Sequence, residues 1–178
     1  MSIYQKIAAY GVRYFSKDVL FKYGFNWSPM YRRTTARIIH ASKDLLRIDI
    51  VLPISYRNRN FVNSIFGGSM FAAVDPIPMV QLINLLDDRY IVWDKSAEIA
   101  FKRPARENLY ASFCYAPEEL ADIRRRVAEE KEIEIVKTTR LTNQAGDQVF
   151  CEVKKTIYVA DKAYFKQKRA RKGRSPSS

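Results

Sequence analysis

The sequence has very little of the material from which metal sites and nucleophilic dyads are built. Among its 178 residues there is one histidine, His40, and there are two cysteines, Cys114 and Cys151. A histidine-based metal cluster or a Cys–His dyad is therefore hard to assemble, and we expect neither a metal nor a bound cofactor. Both cysteines lie in strand-like runs without ligand spacing, which predicts two buried thiols. His40 is expected to be a structural strand residue.

Long uncharged apolar runs are also missing. No stretch of about eighteen apolar residues free of charge would span a bilayer. A basic-then-apolar leader with a small-residue cleavage site is absent too, so we expect a cytoplasmic protein. The hydrophobic content of 47% and the aromatic content of 13% are nevertheless typical of a globular protein with a real core.

Acids are absent from the end of the chain. The formal net charge is +12, but seven of the basic residues lie beyond Asp161, so the body carries only about +5. A net charge of this size on the domain is weak evidence for nucleic acid as a specific ligand. Beyond Tyr164 there is no apolar period, which predicts a disordered tail. A solvated tail and an arm for RNA, anionic lipid or an acidic partner both remain open.

Apolar periodicity divides the chain into a helical extension over residues 1–26, one domain over 27–162 and the basic tail over 163–178. Residues 3–23 have the period of an amphipathic helix, which would either pack on the domain or lie on a membrane surface. Alternating patterns predict about six strands and a surface helix. The predicted strands cover 34–42, 45–54, 90–102, 109–115, 133–142 and 148–160, and the surface helix covers 117–132. This order indicates an α+β fold with mostly antiparallel strands.

One further stretch, residues 60–86, has the most unusual composition. Gly67 and Gly68 precede a long apolar run that contains a single acid, Asp75. The glycines indicate a helix whose start approaches another group closely, and its free N–H groups suit a carbonyl or an anion. An acid in an apolar run is costly unless it is paired or used.

A long helix wrapped by such a sheet resembles the hotdog fold. Asn60, then Phe66-Gly67-Gly68 and then Asp75 resemble the phenylacetyl-CoA thioesterase branch of that fold, in which the pattern is Asn, His-Gly-Gly and Asp. The phrases NRNFVNSIFGGSMFAAVDP, YIVWDKSAEIAFKRPAR and EVKKTIYV are similar to a bacterial thioesterase-like hotdog family of unknown function. The resemblance covers roughly residues 25–160.

The resemblance implies a homodimer, or a dimer of dimers, whose sites draw on two subunits and hydrolyse acyl-thioesters such as acyl-CoA. Gly68 would present its N–H to the thioester carbonyl. Asp75 of the partner chain would act as general base or nucleophile. Asn60 would orient the water or the carbonyl.

The substrate-binding candidates surround these catalytic candidates, and they are Phe66, Gly67, Ser69, Trp93 and Lys95. Trp93 has a core position as its alternative interpretation, and that interpretation is the favoured one. Lys95 would meet a coenzyme A phosphate or pair with Asp94 or Asp75. Arg57, Arg59, Arg103 and Arg106 would add positive field for a nucleotide diphosphate.

Two departures from the thioesterase pattern leave an alternative open. Phe66 replaces the histidine and cannot donate a hydrogen bond. Pro76 and Pro78 kink the helix, and Asp75 before Pro76 suits an N-cap of a second segment. A non-catalytic acyl-binding protein is therefore the alternative to a hydrolase, and a scaffold acting through the tail and the first helix is a third.

Overall fold

The computed structural model describes residues 15–172. Six helices and six strands follow one another along this part of the chain. In order, they are α1 (Lys17–Trp27), α2 (Pro29–Arg33), β1 (Arg37–Ala41), β2 (Arg47–Leu52), α3 (Gly67–Val74), α4 (Pro76–Leu85), β3 (Tyr90–Phe101), β4 (Leu109–Cys114), α5 (Pro117–Glu130), β5 (Glu132–Thr142), β6 (Val149–Asp161) and α6 (Lys162–Lys172).

The strands form one antiparallel sheet in the order β1-β2-β4-β5-β6-β3. All six strands predicted from the alternating pattern are present within a few residues of the predicted bounds, and β1 and β2 form the predicted hairpin. Pairing is extensive except between β4 and β5, which are bridged only at Tyr110 and Thr142.

The central apolar stretch packs against one face of this sheet. Ala73, Ile77 and Leu82 are fully buried there. The sequence predicts a long helix that Pro76 and Pro78 kink, and the structure divides it into α3 and α4 at Asp75. Pro76 and Pro78 have no N–H, so the carbonyls four residues earlier lack a helical donor.

Side chains from neighbouring elements stabilise this kinked region. The hydroxyl of Tyr31 donates to the Ala73 carbonyl at 3.0 Å, and the hydroxyl of Tyr115 donates to the Pro78 carbonyl at 3.0 Å. Both tyrosines are buried, and burial raises the pKa of each phenol well above its usual range. The two hydroxyls therefore remain hydrogen-bond donors at any physiological pH.

A β-bulge between Asp94 and Ser96 changes the face presented by β3. The alternating pattern places Trp93 and Ile99 on the same side of the strand. In the structure, Trp93 pairs with Tyr158 and Ile99 pairs with Val153. Because Tyr158 and Val153 are separated by five positions on β6, they lie on opposite faces. The extra residue in the bulge therefore turns Asp94 towards the helix and Trp93 away from it.

The C-terminal segment is helical up to Lys172, which corrects the prediction of disorder there. Residues 162–172 form α6, and Phe165 packs edge-on against Trp93 with ring centroids 5.0 Å apart. Lys168 is paired with Glu132. One aromatic anchor and one ion pair thus hold a segment whose composition alone predicts disorder. The remainder of the predicted tail, and most of the predicted helix over 3–23, lie outside the described residues, and the domain boundaries remain predictions.

The two cysteines differ in their environment. Cys151 is buried as predicted, and burial raises the pKa of its thiol to about 11. Cys114 is exposed, which corrects the prediction of a buried thiol. Cys114 is the last residue of β4, and its side chain lies on the opposite face of the strand from Phe113, which points into the core. His40 lies in β1 opposite Asp49.

Candidate functional site

The start of α3 exposes hydrogen-bond donors. The carbonyl oxygen of Phe66 accepts hydrogen bonds from the N–H of Ser69 at 2.9 Å and of Met70 at 3.2 Å. Within residues 15–172, the N–H groups of Gly67 and Gly68 donate to no acceptor. These two groups and the positive end of the helix dipole form a donor site for a carbonyl oxygen or an anion.

Both glycines are in direct contact with aromatic rings. A Cβ added to Gly68 would clash with Cε1 of Phe66, and one added to Gly67 would lie 2.7 Å from Cζ of Phe101. The rings of Phe66 and Phe101 are 58% and 55% exposed. The predicted close approach at the helix start is therefore confirmed, and the approaching groups are the two phenyl rings.

Asp75, at the junction of α3 and α4, is paired with Lys155 of β6. The Lys155 Nζ lies 2.7 Å from Oδ1 of Asp75, 2.5 Å from the Asp75 carbonyl oxygen and 2.6 Å from Oδ2 of Asp94. Three acceptors thus match the three N–H groups of the ammonium. The Lys155 side chain is only 2% exposed, whereas that of Asp75 is 41% exposed. In the described part of the chain, Oδ2 of Asp75 has no hydrogen-bond partner.

Asp94 of β3 completes this cluster. Burial raises the pKa of the Asp94 carboxyl above its ordinary value, the nearby Asp75 acts in the same direction, and the hydrogen bond and charge of Lys155 oppose both. Its Oδ1 is buried and has no partner among residues 15–172. Asp75 and Asp94 therefore share one buried cation.

An open groove of about 410 Å³ runs beside the central helix. It brings together predicted site residues Gly68, Ser69, Phe66 and Asp75. The remaining lining residues are Met30, Arg33, Thr34, Ala72 and Pro76. One groove thus holds hydrogen-bond donors, a half-exposed carboxylate and an exposed guanidinium beside apolar side chains. A second cleft, of about 570 Å³ at β4 and β5, contains none of the predicted site residues.

Comparison with known families identifies the chain. A family model described as a domain of unknown function, DUF4442, matches residues 16–159. The chain belongs to this family. No curated protein sequence matches it.

Solved structures similar to this DUF4442 protein share its fold at low sequence identity. A Pseudomonas aeruginosa protein of unknown function, called a "probable thioesterase", has a TM-score of 0.69 at 18% identity, with 80% of this chain and 95% of that one covered. A Haemophilus influenzae thioesterase has a TM-score of 0.57 at 13% identity over 78% and 87%. A mutant Pseudomonas aeruginosa thioesterase has a TM-score of 0.60 at 12% identity over 83% and 97%. The predicted hotdog fold is therefore confirmed.

Four predicted site residues of the DUF4442 chain do not line the groove. Gly67 is one of them, because it lies against the Phe101 ring instead. The side-chain oxygen of Asn60 accepts from the N–H groups of Val62 and Ser64, and its amide group donates to the Ser64 hydroxyl at 2.9 Å. The Asn60 side chain therefore stabilises the turn that it begins, over residues 60–64. Trp93 stacks on Tyr158, with centroids 4.8 Å apart, on the sheet face that points away from the central helix. Lys95 is an exposed residue paired with Glu134.

Two further predictions about this region are corrected. Lys95 pairs with neither Asp94 nor Asp75, because the bulge carries it to the outer face with Glu134. Asp75 does not cap α4 with its side chain. Its backbone is itself helical, with φ −51° and ψ −53°, and its carboxylate is bound to Lys155.

Sequence reasoning missed Lys155, which lies at the centre of the charged cluster. A signal for it is present in the pattern of β6, where Lys155 takes the place of an apolar residue between Val153 and Ile157. These three residues share the buried face of the strand. A lysine at such a position needs a buried partner, and Asp75 is the one acid of the central helix.

The contact between Phe66 and Gly68 gives a testable prediction. Gly68→Ala would place a methyl group against the Phe66 ring and force the ring out of its position. We expect binding of a ligand in the groove to weaken by about tenfold, because the displaced ring lines it. Phe66→Ala in the same chain removes the clash and should restore most of the loss. Equal losses in the single and double variants would show that the contact has no role.

Proposed function

We propose that the protein is an acyl-thioester hydrolase whose active site is the groove at the start of α3. The observation that carries the proposal is that the free N–H group of Gly68 and the carboxylate of Asp75 lie in one groove. The thioesterase names of similar structures agree with it. Acyl-CoA in the cytoplasm is the expected substrate, and Arg33 in the groove supplies positive charge for its phosphates.

The chemistry uses a water molecule, the Asp75 side chain and the main-chain N–H of Gly68. Asp75 accepts a proton from a water molecule while the water oxygen forms a bond to the thioester carbonyl carbon. Negative charge that develops on the carbonyl oxygen is stabilised by the Gly68 N–H and the helix dipole. The carbon–sulfur bond then breaks, and the leaving thiolate takes up the proton from Asp75. The products are a carboxylic acid and a free thiol.

The spacing of the two groups supports a site shared by two copies of the chain. Seven residues along a helix correspond to about 10 Å between Gly68 and Asp75. A carbonyl group bound at Gly68 would therefore be reached more readily by Asp75 of a second copy than by Asp75 of the same chain. Asp75 of a second copy would face the Gly68 N–H across a two-fold axis.

The edge of the sheet offers a surface for this dimer. β3 has 12 residues and pairs only with β6, so its other edge is unpaired in the described part of the chain. Ile99 and Phe101 are 37% and 55% exposed on this strand. A long unpaired edge that exposes apolar side chains readily pairs with another strand, and pairing of two β3 strands would cover it.

Ile99→Asp should convert the dimer to a monomer, because it places a charge at this apolar edge. Light scattering at a fixed protein concentration measures the mass. Val136→Asp is the matched control, since Val136 is 51% exposed on β5, away from the sheet edge, and this variant should stay dimeric. A monomeric wild type, or an Ile99→Asp variant that remains dimeric, would exclude this interface.

Thiol release tests the proposed activity directly. Wild type and Asp75→Ala are incubated with short, long and aromatic acyl-CoAs, and free thiol is titrated. We expect wild-type turnover on at least one substrate and its loss in Asp75→Ala. Absence of turnover on the whole panel would count against hydrolysis.

Non-catalytic acyl binding is the second candidate, and two observations favour it. Phe66 covers the helix start where the related pattern has histidine, and Asp75 is held in an ion pair by Lys155. Calorimetry with acyl-CoA would then show binding that Asp75→Asn leaves unchanged, together with an absence of thiol release.

A further inference from the structure

The Lys155 ammonium binds one side of the Asp75 carboxylate and leaves the other side open. Oδ1 and the main-chain carbonyl oxygen of Asp75 both accept from Nζ, at 2.7 and 2.5 Å. Two bonds from one ammonium to one residue restrict both its side-chain rotation and its main chain. Asp75 also lines the groove, and its Oδ2 has no partner within residues 15–172.

The position of Lys155 is itself fixed. Its side chain extends from the middle of β6, where Lys155 is paired in register with Ala97 of β3 and Lys137 of β5. Asp94 binds the ammonium at 2.6 Å from the adjacent edge strand. The bulge after Asp94 is the feature that turns this carboxylate towards the helix. Strand β3, strand β6 and the helix kink therefore meet at one buried cation.

We propose that Lys155 is the positioning residue of Asp75, and that Asp94 in turn holds Lys155. The inference rests on the proposed hydrolase function of the groove. Lys155 is only 2% exposed, so it acts through Asp75 and not by contact with substrate. It keeps the Asp75 carboxylate at the kink with Oδ2 towards the groove, where a water molecule would be deprotonated.

A kinetic double-mutant cycle separates this role from a general structural one. Lys155→Met should lower kcat for thioester hydrolysis by about 10- to 100-fold, as expected for a misplaced base, with KM changed less than about twofold. In the Asp75→Asn background the same substitution should have almost no further effect on kcat, because residues that act as a unit are not additive. A full independent loss in that background would overturn the proposal. So would an unchanged kcat in Lys155→Met.

Matched variants distinguish the expected effect of Lys155→Met from a loss of activity caused by misfolding. Lys137→Met removes a neighbouring lysine that is paired with Glu119 at 2.8 Å and lies outside the groove, so kcat should be unchanged. If Lys155→Met does not fold, Lys155→Met with Asp94→Asn removes one of the two carboxylates left without a cation and is tested in the same cycle. Asp94→Asn alone should lower kcat by a smaller factor, since Lys155 keeps Asp75 as a partner.

A crystal structure of Lys155→Met tests the positioning role of Lys155 independently of turnover. The expected result is an Asp75 carboxylate that has left its position beside the groove, with the kink between α3 and α4 retained. An Asp75 side chain in its original place would overturn the positioning role even in an active enzyme. If the wild type releases no thiol, the hydrolase function fails, and this structure still tests the inference.

Discussion

Replacing Asp75 with asparagine is expected to lower kcat for thioester hydrolysis by a factor of about 10²–10⁴, the usual contribution of a general base. Asparagine has nearly the same shape and keeps an oxygen as acceptor for the Lys155 ammonium, but it does not take up a proton from water. KM should change little, because the groups that bind the acyl chain and the carbonyl oxygen are unchanged. Thiol release under saturating acyl-CoA measures the effect.

Asp87→Asn is the control for this experiment. Asp87 is an exposed acid that follows α4 and pairs with Arg89 at 2.6 Å, which helps to hold the pKa of its carboxyl at about 2. It does not line the groove, so kcat should stay at the wild-type value. A folded Asp75→Asn variant with wild-type kcat would show that Asp75 is not the base. The paired carboxylate would then have a structural role only.

Replacing Lys155 with methionine is expected to lower the free energy of unfolding by about 3–5 kcal/mol. Among residues 15–172, the substitution removes the one cation bound by Asp75 and Asp94, while Asp94 keeps a buried oxygen without a partner. Loss of one partner of a buried ion pair is costly because the remaining charge stays poorly solvated. Urea denaturation followed by circular dichroism measures the change.

Two further variants define the origin of that loss. Lys137→Met should cost no more than about 1–2 kcal/mol, because its ion pair with Glu119 is partly exposed and its contact with the Tyr115 ring is a modest one. Lys155→Met with Asp94→Asn should regain part of the stability, since one uncompensated carboxylate is gone. A loss below about 1 kcal/mol in Lys155→Met would contradict the buried network.

The sheet was predictable from the sequence because its strands have one buried face and one solvent-exposed face. In β2, buried Ile48, Ile50 and Leu52 alternate with more exposed residues, as the pattern requires. The pattern failed at β3, where one bulged residue exchanges the faces of Asp94 and Trp93. A bulge is an insertion in the pairing register, and the register depends on the partner strand β6. This single irregularity accounts for the misplacement of both Trp93 and Lys95.

The candidate site was predictable in its main-chain part and not in its ion pairs. Gly67, Gly68 and Asp75 mark the helix start and the kink because glycine and proline have strong local effects. The partner of Asp75 lies 80 residues away in β6, and such long-range pairing depends on the tertiary fold. The same holds for Phe165 and Lys168, whose contacts with Trp93 and Glu132 order α6 despite its basic composition.

The most direct test of the proposed site is a crystal structure of Asp75→Asn bound to a non-hydrolysable analogue of acyl-CoA. In this analogue a methylene group separates the sulfur from the carbonyl, so the carbonyl is kept but the thioester is not. We expect the analogue's carbonyl oxygen to lie within hydrogen-bond distance of the Gly68 N–H, with position 75 of a second copy facing the carbonyl carbon. Binding of the carbonyl elsewhere, such as in the cleft between β4 and β5, would contradict it.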